Sequence, residues 1–171
     1  MKAIKKILEY TFYILVLLVF TFLLSMFNGG GKKLVLNPSE LPVLTETQIP
    51  EDFKNKNKVI YFWATWCSVC ETNLPLFKTS YSLFNGKWNT EFISIEEGGG
   101  TPEHVKQYID KHGVTFPTLF GNQKVLEANK INAFPTTIFV NSKNEIKFID
   151  TGIMNPLSIG VRIFFLNWNW N

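Results

Sequence analysis

The hydrophobic and polar positions divide the chain into a long apolar stretch, a glycine-rich link and a region of short alternating elements. Ile7 to Phe27 is apolar nearly throughout. Asn28 to Lys33, which holds Gly29-Gly30-Gly31, reads as a flexible link. Leu34-Val35-Leu36 reads as a short strand, and Asn37 to Pro50, with Pro38, Pro42 and Pro50, as an extended loop. Glu51 to Lys58 is polar. Lys58 to Trp63 is an apolar run, as expected of a strand covered on both faces.

From Cys67 to about Phe84, Leu74, Phe77, Tyr81 and Phe84 recur at helical spacing and predict a helix with one buried face. Pro75 should kink it, and Asn85-Gly86 should end it. Glu91 to Ile95 is the next strand, and Glu96 to Gly100 a loop. Thr101 is placed as an N-cap with Pro102 at the first helical position, and the helix should stop at Gly113. Phe116 to Phe120 reads as a short extended segment and Gln123 to Lys130 as a short helix. Thr136 to Val140 and Glu145 to Ile149 flank a hairpin turn at Asn141 to Asn144. Asn155-Pro156 should cap a last helix running to about Leu166. This order predicts an α/β domain with an antiparallel hairpin at one end.

The apolar stretch changes the picture of where that domain sits. A bilayer core needs about 20 apolar residues, and Ile7 to Phe27 supplies them. A cleaved signal peptide would carry a shorter apolar region and a small-x-small cleavage site; Ser25-Met26-Phe27 and Asn28-Gly29-Gly30 fit such a site poorly. A buried core helix would not be apolar on every face. The stretch is therefore read as an uncleaved anchor. Lys2, Lys5 and Lys6 precede it, so the positive-inside rule puts the N-terminus in the cytoplasm and the domain across the membrane. The expected organisation is a cytoplasmic stub (1–6), a transmembrane helix (7–27), a tether (28–39) and a globular domain (40–171).

Length and composition fit that plan. The chain has 171 residues, of which 46% are apolar, enough for one domain with a core plus the leader. Net charge is +3; Lys2, Lys5, Lys6 and Glu9 account for +2, which leaves +1 for the remainder. A near-neutral domain lacks the basic face that nucleic acid requires, so no nucleic-acid partner is expected.

The candidate chemistry lies in Trp63-Ala64-Thr65-Trp66-Cys67-Ser68-Val69-Cys70, which holds the only two cysteines. A strand runs into a turn, and the turn hands Cys67 to the start of a helix. A helix N-terminus stabilises thiolate over thiol, and the thiolate is the species that attacks disulfides. A structural disulfide closing so short a loop would be a weak staple. Zinc would need more ligands: His104 and His112 stand too far apart for common zinc motifs, and no further cysteine exists. Covalent haem attachment needs His after the second cysteine, where Glu71 stands. A dithiol/disulfide redox pair is the reading that remains, with no cofactor and no metal.

Phe62 to Cys70, with Pro75 eight residues after Cys67, resembles the active-site strand, turn and kinked helix of the thioredoxin family. Ala133-Phe134-Pro135-Thr136-Thr137 ahead of an apolar strand resembles that fold's cis-proline loop. The extra helix and the Phe116-Pro117-Thr118 segment are similar to the TlpA-like branch, the membrane-anchored thioredoxin-like proteins of bacteria. Thr151-Gly152 followed by a basic, aromatic helix is most similar to the ScsD-type group, named for suppression of copper sensitivity. The resemblance covers about residues 40 to 166.

It implies a thioredoxin fold, with a central mixed sheet flanked by helices. It also implies a thiol-disulfide oxidoreductase in which Cys67 attacks and Cys70 resolves. The substrates would be protein thiols and disulfides, and a membrane thiol carrier would be the electron partner. The place would be the outer side of a bacterial inner membrane. Pro135 would be cis beside the sulfurs, its loop offering backbone hydrogen bonds to a substrate strand. Trp63 is expected in the core; Trp66 and Phe134 are expected to contact substrate. Ser68 and Val69 supply no cation to the thiolate, which argues for a reducing or isomerising poise rather than a strongly oxidising one. The alternative is a copper-handling dithiol.

One departure stands out. Thioredoxins keep a buried acid six residues before the first cysteine, and some anchored relatives keep a Glu three residues after the second. Here those positions hold Tyr61 and Asn73. Glu71 should face solvent; Glu96 and Glu97 are the remaining acids and read as a solvated pair, which leaves open which group takes the Cys70 proton. Val161 to Trp170 reads as a packing helix with a loose aromatic end, too short to span a membrane; the alternative is that it grazes a bilayer surface, where tryptophan is common.

Overall fold

A computed structural model describes residues 2–25 and 32–168, with only the backbone given for residues 2–4, 8, 18, 19 and 21–25. An N-terminal helix α1 (Lys2–Ser25) precedes the domain. The domain then runs β1 (Asn57–Trp63), α2 (Ser68–Phe84), β2 (Thr90–Glu96), α3 (Pro102–His112), β3 (Thr118–Phe120), α4 (Gln123–Ala128), β4 (Thr136–Val140), β5 (Ile146–Thr151) and α5 (Pro156–Asn167). Two short 3-10 turns, Pro38–Glu40 and Glu51–Asn55, lie before β1.

Five strands form one sheet in the order β3-β2-β1-β4-β5. β1 pairs in parallel with β2 and antiparallel with β4, and β4 with β5 forms the expected hairpin. Every residue of β1 is buried because helices or loops cover both faces of the sheet. Its alternate positions feed two cores. Val59, Tyr61 and Trp63 pack with Leu74, Phe77, Val105, Ile109 and Ile163 on one face. Ile60 and Phe62 pack with Leu41, Phe53, Leu126 and Ile138 on the other.

The helix signals correspond to real caps. Thr101 Oγ1 accepts from the His104 amide, Asn155 Oδ1 from the Ser158 amide, and Gly113 closes α3 at φ 57°. Helix α2 continues through Pro75 to Phe84.

Two expectations need correction. The tether was expected to extend to residue 39, yet Leu34 is buried in the second core. Its amide donates to the Asn144 carbonyl, and the Ile146 amide donates to the Lys32 carbonyl. Asn129 bonds both backbone groups of Val35, so residues 34–36 need no ladder and form no strand. The domain therefore takes up the chain from Lys32. Lys58, expected at the end of an apolar strand, is itself buried; its ammonium donates to the Lys54 and Lys56 carbonyls. Burial lowers its pKa to about 8.

The expected span 7–27 falls partly outside the described residues. Among the residues described to the side chain, no helix is long and apolar enough to cross a membrane.

Helix α5 is fixed to the sheet by its one charged residue. The Arg162 guanidinium donates twice to the Asp150 carboxylate, both at 2.6 Å, and once to the Ser158 carbonyl. Removing one partner of a buried pair strands the other charge, at about 3–5 kcal/mol. Asp150 keeps 23% exposure, so Asp150→Ala should fall at the low end, about 3 kcal/mol, as a reduced urea midpoint with unchanged slope.

Candidate active site

The site is built where β1 ends. Trp63 is buried and donates from Nε1 to Ser94 Oγ at 3.2 Å, which fixes the strand's last residue to β2. The chain then turns, and Cys67 becomes the N-cap of α2. Its Sγ accepts from the Cys70 amide at 3.1 Å. Sulfur thus occupies the position where a capping oxygen commonly sits, facing the partial positive end of the helix. A thiolate there gains a charge-assisted hydrogen bond without any cationic side chain.

Cys67 and Cys70 are joined as a disulfide with Cα atoms 5.2 Å apart. Both cysteines are buried, Cys67 at 6% and Cys70 at 2% residue exposure.

The Phe134–Pro135 peptide is cis. Trp66 stands 68% exposed, with its ring edge-on to Phe134 at 5.9 Å. That contact ties the proline loop to the cysteine turn. The Pro135 carbonyl accepts from Gly152 at 2.8 Å, and Thr136 Oγ1 donates to the Ala133 carbonyl. Cys67, Cys70, Trp66, Phe134 and Pro135 are therefore brought into one region. Glu71 is exposed, as expected.

The two places that lack an acid have structural occupants. The Tyr61 hydroxyl donates to the Cys70 carbonyl at 3.4 Å. Burial pushes its pKa up to about 12, against a lowering by the facing Asn73 amide; a phenol so weak is no base near neutrality. Asn73 is fully buried, and its Oδ1 accepts from the Met154 amide at 3.0 Å. It pins the turn before α5 against the active helix.

Glu96 departs from the solvated reading. It is fully buried at the end of β2, paired in register with Trp63. One carboxyl oxygen accepts from the Gly98 amide at 2.8 Å; the other has no hydrogen-bond partner. Burial raises the pKa; the Gly98 and Thr65 amides pull it down, Glu97 pushes it up and His104 lowers it. β2 is buried on both faces, and by alternation Glu96 stands on the same side as Phe92 and Ser94, the side of the first core. Gly98, at φ +83°, lies so close to the Gly121 carbonyl that a Cβ would collide with it. Glu97 is different, for it accepts from Trp66 Nε1 and so orients the exposed indole.

Residues 39–149, more than half of the chain, match the AhpC/TSA family. The chain belongs to that family. Among curated relatives of this AhpC/TSA member, the thiol-disulfide oxidoreductase ResA of Geobacillus kaustophilus is 31% identical over 110 residues, 63% of this chain and 62% of that protein. ResA of Bacillus subtilis is 27% identical over 155 residues, 85% of this chain and 86% of that protein. The matched region thus spans about 62% of the length of the first of these relatives. Among solved structures, a thiol-disulfide isomerase from Corynebacterium glutamicum aligns with TM-score 0.67 at 17% identity, over 83% of this chain and 98% of that one. At that identity the likeness establishes the fold, a thioredoxin-like mixed sheet flanked by helices.

A carboxyl whose folded pKa lies above its unfolded value stabilises the fold only while protonated. That contribution is present below the ordinary glutamate range and is lost as pH rises towards the folded value. Glu96→Gln removes the loss. The variant should match the wild-type urea midpoint near about pH 4 and exceed it at about pH 7. Equal midpoints at both pH values would contradict the raised carboxyl.

Proposed function

We propose that this AhpC/TSA member is a membrane-anchored thiol-disulfide oxidoreductase that reduces or isomerises disulfides of exported proteins. The observation that carries the reading is Cys67 Sγ at the N-cap of α2, accepting the Cys70 amide at 3.1 Å. The Cys67 thiolate attacks a substrate disulfide, forms a mixed disulfide and releases one substrate thiolate. Cys70 then attacks Cys67 Sγ, closing the Cys67–Cys70 disulfide and releasing the second substrate thiol. Two electrons pass to the substrate, and a membrane dithiol carrier returns them to the pair. The exposed indole of Trp66 and the half-buried Phe134 form an apolar lip for the substrate segment, and the backbone beside Pro135 pairs with it.

The names and matched lengths of the ResA relatives support the activity. The length of α1 supports the anchor. Its 24 residues rise about 36 Å at about 1.5 Å each, against a hydrocarbon core of about 30 Å. Tyr10, Phe12, Leu15, Leu17 and Phe20 are exposed along it. Lys2, Lys5 and Lys6 lie in its first two turns, which favours a cytoplasmic N-terminus and an extracytoplasmic domain, as in a single-pass bacterial inner-membrane protein. A two-thiolate copper carrier is the other use of such a pair. The Trp66–Phe134 lip and the cis-proline loop serve a peptide substrate better than a bare ion.

Cys70→Ser should accumulate mixed disulfides with exported proteins, seen as thiol-sensitive bands on non-reducing gels, and Cys67→Ser should accumulate none. The reverse pattern would assign the attack to Cys70. Alkaline carbonate should leave the full chain in the membrane pellet.

A further inference from the structure

We propose that the outer face of α5, with the aromatic corner at its C-terminal end, lies on the surface of an anionic phospholipid bilayer; this rests on the reading of α1 as an anchor. The charge pattern of α5 comes first. Its one charged residue, Arg162, turns inward to Asp150. Leu157, Val161, Phe164 and Trp168 follow one another at helical spacing on the other side. Leu157 is 77%, Phe164 50% and Trp168 59% exposed. Between α5 and α2 runs a shallow groove lined by residues including Phe84, Leu157, Gly160, Val161 and Phe164. A surface helix with no outward charge is built to be covered.

The position of the aromatic corner says by what. Trp168 contacts Phe164, and Trp88 stacks on Phe84 at 5.9 Å. Both tryptophans lie at the end of the sheet away from the cysteines. The Asn57 amide, at the start of β1, donates to the Asn89 carbonyl, and its side chain bonds Asn167 and the Ser142 amide. The chain coming from α1 joins the domain at this same end, where Lys32 and Leu34 bond Ile146 and Asn144. Only residues 26–31 intervene between Ser25 and Lys32, a reach of at most about 25 Å. An anchor at α1 therefore holds this corner, and not the cysteines, close to the membrane.

The chemistry of the corner fits headgroups. Tryptophan favours the membrane–water interface. Lys32, Lys33, Lys87 and Lys143 are exposed around it and complement anionic lipid. Seated there, the domain presents Cys67 and the Trp66–Phe134 lip away from its lipid-held end.

The test uses the full chain carrying Trp170→Phe, reconstituted into vesicles of phosphatidylcholine and phosphatidylglycerol with or without acyl-chain-brominated phosphatidylcholine. Residues 1–31 contain no tryptophan, so anchoring by α1 alone quenches nothing. Brominated lipid should quench the emission. Trp88→Phe with Trp168→Phe should bring quenching down to the unbrominated level, while Trp66→Phe leaves it unchanged. Vesicles without phosphatidylglycerol should quench less. A carbonate-resistant chain without quenching dependent on Trp88 and Trp168 overturns the inference and leaves the anchor standing. The same holds if the unquenched chain is a dimer that Phe164→Asp dissociates, for a second copy then covers the face. A chain extracted by carbonate overturns the anchor; quenching that persists in it supports the lipid-facing corner, and quenching that vanishes overturns both.

Discussion

The hydrogen bond from the Cys70 amide to Cys67 Sγ is the constraint around which the domain is arranged. It requires the first cysteine to stop short of the helix and the second to lie within its first turn. That placement depends on where β1 ends. β1 is buried along its whole length between β2 and β4, and Trp63 is tied to Ser94. The turn that follows therefore starts from a fixed point. Behind it, the Tyr61 hydroxyl holds the Cys70 carbonyl, and Asn73 holds the turn that leads into α5.

The electrostatics of the pair follow from what surrounds it. Among the described residues no cationic side chain bonds Cys67 Sγ, and the residues between the cysteines, Ser68 and Val69, are neutral. Stabilisation of a thiolate rests on the Cys70 amide and the end of α2, a modest effect compared with an added cation. Tyr61 is a neutral phenol and Asn73 an amide, so neither supplies a base. Glu96, read from the sequence as a surface acid, is buried at the end of β2 in register with Trp63, and burial raises its pKa.

Much of this was legible in the chain. The apolar run before Trp63, the caps at Thr101 and Asn155, and the hairpin turn at Asn141 to Asn144 each express a local preference that the fold respects. What was not legible depends on contacts between distant segments. Leu34 is buried only because Asn144 and Ile146 receive the strand-like segment around it. Glu96 was read as solvated because it opens the loop that runs into Gly98-Gly99-Gly100; its burial depends on β2 being covered on both faces to its last residue. That Arg162 turns inward to Asp150 and leaves the outer face of α5 without charge depends on a contact between β5 and α5 that the sequence does not display.

A neutral cysteine turn capped by the helix end alone should give a reducing pair. The most direct test is the redox equilibrium of Cys67–Cys70 against glutathione, followed by the fluorescence of Trp66 beside it. A potential near that of thioredoxin, about −270 mV, is predicted. A value near that of a strong oxidant, about −120 mV, would contradict it.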